Sequence, residues 1–121
     1  MEVSQEILEQ QLMELLLQGS HPVLATLRHQ YAVAKIVKRE FSGVGFFLHF
    51  EVPENIPLTD PHNFEAGGIS IDLENLPSGA NCVLFVRKGK IDFLECYTYV
   101  DPWPESIVIR SLSNVRPAIP E

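Results

Sequence analysis

His49 and Glu51 stand two residues apart in a β-prone run, so period-two alternation puts both on one strand face. There a carboxylate could orient an imidazole as a general base, or the two could bind a metal with a third ligand from a neighbouring strand. Alternation also generates such polar pairs on solvent faces without any chemistry, and that plainer origin carries more weight. Further along, Asp92, Glu95, Asp101 and Glu105 lie near Phe93, Tyr97, Tyr99 and Trp103. This mixture suits a cleft, or equally a strand edge and its corner. His49, Glu51 and Glu95 are the candidate catalytic residues, and Tyr97, Tyr99 and Trp103 the candidate binding residues, because Tyr and Trp suit surfaces that are half apolar and half wet. Trp103 is held between Pro102 and Pro104, either as an interface anchor or, with more weight, as a plug over the end of a sheet.

Recognised signatures are missing. Gly43-Val44-Gly45 lacks the third glycine of a dinucleotide loop, since Leu48 stands there, and no helix follows to offer its N-terminus to a phosphate. A turn and a bulge explain it better. His21, His29, His49 and His62 show no helical metal-site spacing, and no Cys-x-x-Cys complements them, so neither a metal nor a cofactor is expected. No Walker loop, His-Glu-x-x-His or Gly-x-Ser-x-Gly occurs.

The elements that must position these residues follow from periodicity. Leu8, Leu12, Leu15 and Leu16 predict a helix over residues 4–18, stopped by Gly19. Ser20 is the expected N-cap of a second, shorter helix with Val23, Leu24, Leu27 and Tyr31 on its apolar side. Residues 32–41 and 44–52 then read as a hairpin about Ser42-Gly43, with Phe46, Leu48 and Phe50 inward and Phe47, His49 and Glu51 outward. Three prolines make 53–65 a long surface loop, mobile or functional. A strand over 66–73 and a turn over 74–80 lead to a second hairpin, 81–86 with 91–99. A two-residue turn at Lys88-Gly89 sets Val86 opposite Ile91 and Leu84 opposite Phe93, and places Cys82 and Cys96 on opposite sheet faces. Residues 107–112 form a short last strand and 113–121 an irregular tail. The expected fold is a single α+β domain over residues 1–121, with two N-terminal helices packed on one face of a five- or six-stranded antiparallel sheet.

Composition narrows the function classes. At 121 residues there is room for one core, and at 45% hydrophobic and 21% charged the chain has the makings of an ordinary globular protein. A net charge of −7 argues against general nucleic-acid or anionic-membrane binding, which need clustered Lys and Arg. No apolar run reaches the length of a spanning helix, and Met1-Glu2-Val3-Ser4-Gln5-Glu6 has no secretory character, so the cytoplasm is the expected location. From Glu40 to Asn81 there are seven acidic residues and no Lys or Arg. Such a stretch is usually a solvated face; functionally it could steer a basic partner.

The run Arg39-Glu40-Phe41-Ser42-Gly43-Val44-Gly45-Phe46-Phe47, followed by Asp92-Phe93-Leu94-Glu95-Cys96-Tyr97-Thr98-Tyr99 and Asp101-Pro102-Trp103-Pro104, resembles a family of small uncharacterised bacterial proteins that pair these motifs. The resemblance spans roughly residues 30–105 and implies no activity, cofactor or catalytic residue. In size and composition alone the chain is also similar to immunity proteins that neutralise toxins. The leading expectation is therefore a non-catalytic interaction module with a protein partner, or one that self-associates as a homodimer. The alternative is a small enzyme or ligand-binding domain with His49, Glu51, Glu95 and Tyr97 gathered in a concave sheet face.

Overall fold

The computed structural model describes residues 1–116. Within them the chain runs β1 (Glu2–Val3), α1 (Gln5–Leu16), α2 (Pro22–Val33), β2 (Lys35–Phe41), β3 (Gly45–Glu51), β4 (Phe64–Leu73), β5 (Leu76–Arg87), β6 (Lys90–Thr98) and β7 (Ile107–Arg116). Among the described residues the strands make one antiparallel seven-stranded sheet in the order β1-β7-β4-β5-β6-β3-β2. This corrects the expected architecture: the sheet has more than five or six strands, and the helices are not strictly N-terminal because β1 precedes them. Two residues are too few to show a period, so β1 has no sequence signal; it exists because Glu2 and Val3 pair with Val108 and Ile107 at the sheet edge. No helix among the described residues is long and apolar enough to cross a membrane.

Ser4 starts α1 by accepting a hydrogen bond from the Ile7 N–H (3.2 Å). Its buried side, Leu8, Glu9, Leu12, Met13 and Leu16, lies on β4 and β7, while α2 lies on β6. The cap of α2 is His21, whose Nδ1 accepts from the Val23 N–H, and not Ser20. Both helices cover the face that carries Phe46, Leu48, Ile69, Ile71, Leu84 and Leu94, which form a single buried core with them.

Irregularities in the sheet account for the remaining differences. Pro77, Ser78 and Gly79, expected in a turn, bulge out of β5, since Leu73 pairs with Leu76 and Ile71 with Ala80. A bulge tolerates the proline that a regular ladder would not. The last strand runs on to Arg116, where Gly68 pairs with it, so residues 113–116 are not tail; residues 117–121 of the expected tail lie outside the described residues. At Gly45 a side chain has no room, because a Cβ would run into the Cys96 carbonyl oxygen.

The β5–β6 hairpin has the expected two-residue turn, with Arg87 opposite Lys90 and Val86 opposite Ile91. Beyond it the register shifts. Phe85, not Leu84, faces Phe93, and Leu84 faces Leu94. Without that shift Glu95 would point into the core and Leu94 into solvent; one extra residue at Asp92 exchanges them. The same shift puts Cys82 directly opposite Cys96 on the core face, correcting their assignment to opposite faces. Both remain free thiols, 0% and 2% exposed. Burial, and then the hydrogen-bonded thiol of Cys82, push the Cys96 thiol well above its ordinary range, so its reactive thiolate is scarce. A colorimetric disulfide reagent is expected to label neither thiol rapidly in the native protein and both in denaturant. Fast native labelling would contradict this burial.

Candidate functional site

Alternation in a sheet covered on one side calls for polar residues on the other. Three central strands depart from this rule. On the uncovered face β3 presents Phe47 and His49, β6 presents Phe93, Glu95 and Tyr97, and β5 presents Asn81, Val83 and Phe85. The ladder sets them in rows: His49, Phe93 and Phe85 are consecutive partners, as are Phe47, Glu95 and Val83, and Tyr97 lies opposite both Gly45 and Asn81. Phe85 and Phe93 stack at 4.5 Å between centroids, Phe47 lies 6.0 Å from Phe93, and the His49 ring lies 5.8 Å from Phe93. The Arg87 guanidinium sits over this array, 5.6 Å from the Phe85 centroid and 5.5 Å from that of Phe93. The result is a continuous half-buried aromatic platform with a carboxylate, Glu95, in its middle.

Charges around the platform are largely matched within the molecule. Glu40 Oε1 lies 2.8 Å from His49 Nε2 and its other oxygen 3.3 Å from Lys38 Nζ. Hydrogen bonds from His49 and then Lys38 hold the Glu40 carboxyl below its ordinary range. Asp92 faces Arg87 at 4.0 Å, and Glu65 faces Arg116 at 3.7 Å. Arg116 is further committed by two hydrogen bonds to the Gly67 carbonyl. Burial, then Tyr99 and Glu95, push the Tyr97 phenol above its ordinary value.

The candidates from sequence are thus only partly gathered. His49, Glu95 and Tyr97 share the platform, but the carboxylate that reaches His49 comes from Glu40 on the neighbouring strand rather than from Glu51. Glu51, at the end of β3 opposite Lys35, lines a separate cleft with Arg87, Lys88 and Lys90. Tyr99 is exposed beyond the platform's end, where its hydroxyl accepts from Asn81 Nδ2 (3.1 Å). Trp103 stands apart from both tyrosines. Its ring packs edge-on against the fully buried Phe46 at 5.1 Å, and its backbone N–H donates to the Gly43 carbonyl, so it closes the end of the core. Beside it opens a cleft of about 520 Å³ lined by Val3, Phe41, Trp103 and Ile107, with Glu2 and Glu105 at its rim. Comparison with family models, with curated proteins and with solved structures returned no match.

Four surface clefts among the described residues can be compared, and of His49, Glu51, Glu95 and Tyr97 only Glu51 lines any of them. Among the described residues no three His, Cys, Asp or Glu side chains are grouped so as to hold a metal ion. Phe47, Phe85, Phe93 and Arg87 were not singled out from sequence. For Phe85 a signal was present: in residues 81–87 both parities are apolar, which is how a strand reads when both of its faces are to be covered.

The sheet edge offers less. Strand β2 is largely exposed, Ile36, Val37 and Phe41 included, yet it is interrupted by a bulge between Ile36 and Lys38 and carries Lys35, Lys38 and Arg39. Bulges and charges of this kind blunt edge-to-edge pairing.

Proposed function

We propose that this protein is a non-catalytic interaction module that docks another protein on the aromatic face of its sheet. What supports this is one observation: the central strands carry aromatic side chains on the side the helices leave uncovered, where solvent alone would select polar ones. A chain that keeps such a patch partly exposed has a use for it, and aromatic residues with an arginine among them are the composition of interface cores. The likeness to immunity proteins is compatible with such a role but rests on size and charge only. The enzyme or ligand-site alternative needed several of His49, Glu51, Glu95 and Tyr97 in one cleft, an arrangement the clefts described above do not provide.

The test compares three immobilised baits in one native lysate: the wild type, the double variant Phe47→Thr/Phe93→Thr, and Trp103→Ala as a control away from the platform. A partner retained by the wild type and the control but lost by the double variant is the expected result. Retention by the double variant and loss by Trp103→Ala would move the docking site to the cleft and end this proposal. Light scattering on the free protein distinguishes a second copy of the chain as the partner.

A further inference from the structure

Resting on that docking face, we propose that its occupant is a cationic side chain of a basic protein segment, an arginine in the first instance. It would seat between the Glu95 carboxylate and the rings of Phe47, Phe93 and Tyr97. The molecule itself supplies the precedent. At one end of the platform Arg87 already lies over Phe85 and Phe93, showing that a guanidinium settles on these rings with its charge turned to a nearby carboxylate, Asp92. Toward the other end the same components recur without a cation. Glu95 has Phe47 and Val83 as its cross-strand partners and Phe93 and Tyr97 on its own strand face, and makes no ion pair among the described residues.

The neighbouring cations are already engaged. Lys38 pairs with Glu40, Arg87 with Asp92, and Arg116 with Glu65 and the Gly67 carbonyl. A carboxylate with aromatic neighbours on three sides and Val83 on the fourth favours a group that stacks and donates at once. Guanidinium does both: it is planar, weakly hydrated, drawn to ring faces, and able to give two N–H bonds to one carboxylate. Charge points the same way, because a chain of net charge −7 attracts a basic partner and repels an acidic one. It also disfavours a second copy. In a two-fold face-to-face dimer the same patch meets itself, so two unpaired Glu95 carboxylates would be brought together at the centre.

The experiment titrates isotope-labelled protein with an amidated hexapeptide of alternating Arg and Gly, and with the same peptide in which citrulline replaces every Arg. Citrulline keeps the shape and hydrogen-bonding planarity and removes the charge. Amide shifts are expected to map to β3, β5 and β6 around Phe47, Val83, Phe93, Glu95 and Tyr97. Affinity should fall roughly tenfold or more with citrulline, and likewise with Glu95→Gln, as for loss of a hydrogen bond to a charged partner. Glu105→Gln, which removes one negative charge away from the platform, should leave the affinity unchanged. Glu95→Thr serves if Glu95→Gln does not give a native spectrum. Equal binding by the Glu95 variants, or shifts confined to the acidic stretch of 51–65, would overturn the proposal. Equal binding of both peptides on the platform would overturn the cation while leaving the docking face intact. A dimer that Phe93→Thr dissociates would assign the face to a second copy and overturn the basic partner.

Discussion

Gln30→Leu is expected to lower the unfolding free energy by about 3–5 kcal/mol, although the two side chains are similar in size and the position is fully buried. Every polar atom of Gln30 is in use. Its Nε2 donates to the carbonyls of Pro57 (2.9 Å) and Gly89 (2.8 Å), and its Oε1 accepts from the Ile91 N–H (2.9 Å). One side chain on α2 therefore ties together the long loop before β4, the β5–β6 turn and the first core residue of β6. After substitution Gly89 keeps a bond from the Thr59 N–H, but the Pro57 carbonyl and the Ile91 N–H lose the partner that Gln30 gave them. Each such group costs about 1–3 kcal/mol, and more than one is involved. Urea unfolding measures the effect. A loss below about 1 kcal/mol would mean that water reaches these groups and that the loop is not held as described.

The same network explains why the proline-rich segment is ordered. The Gly89 N–H donates to the His62 carbonyl, and the Lys88 N–H donates to Asn63 Oδ1, so both sides of the hairpin turn grip the loop. Gly89 adopts φ +77, which a side chain would resist, and its would-be Cβ lies 2.7 Å from the Leu58 Cβ.

Removing Arg39 should have a comparable effect by a different route. Glu9 projects from α1 into the core with its side chain 3% exposed, and Arg39 on β2 meets it with two bonds of 2.6 Å from Nε and Nη2. Gln5 Nε2 adds a third bond to the same carboxylate (3.0 Å). Arg39→Met leaves Glu9 buried without its cation, which costs about 3 kcal/mol and up to about 5 in fully buried pairs. The double variant Glu9→Leu/Arg39→Met removes the charge along with its partner, and should recover most of the loss if it packs. Thermal and urea unfolding of the three proteins compare them directly. If the single and double variants were equally unstable, packing of the Arg39 stem rather than the ion pair would be what joins β2 to α1.

The sequence made the local choices legible where one residue type decides them. Leu8, Leu12 and Leu16 mark the buried side of α1, Gly43 opens the β2–β3 turn, and Phe46, Leu48 and Phe50 set the inward parity of β3, because each signal is carried by its own neighbours. What stayed hidden depends on distant partners. β1 is two residues long and exists only against β7. The extra residue at Asp92 has no signature of its own, and without it Phe93 reads as core, Cys82 and Cys96 as separated, and the platform as absent. Glu9 carries no local sign of burial because its partner lies at Arg39, and Gln30 gives no hint that a loop and a turn converge on it. The candidate site was half visible for the same reason. Glu95, Tyr97 and His49 stood out as polar groups on strands, whereas Phe47 was read as outward but as nothing more than surface, and Phe93 passed for core until the register placed it outside.

Everything proposed for function rests on those rings serving a partner rather than holding the sheet together, and the two roles differ in energy. Urea unfolding of Phe47→Thr/Phe93→Thr separates them without knowledge of the partner, since threonine keeps strand propensity and removes the ring. The expected loss is about 2–4 kcal/mol for the two rings together, the worth of their partial burial and aromatic contacts, with the native fold retained. A loss of about 6 kcal/mol or more, the sum of two buried Phe truncations, would show that these side chains are structural core and that the sheet has no docking face.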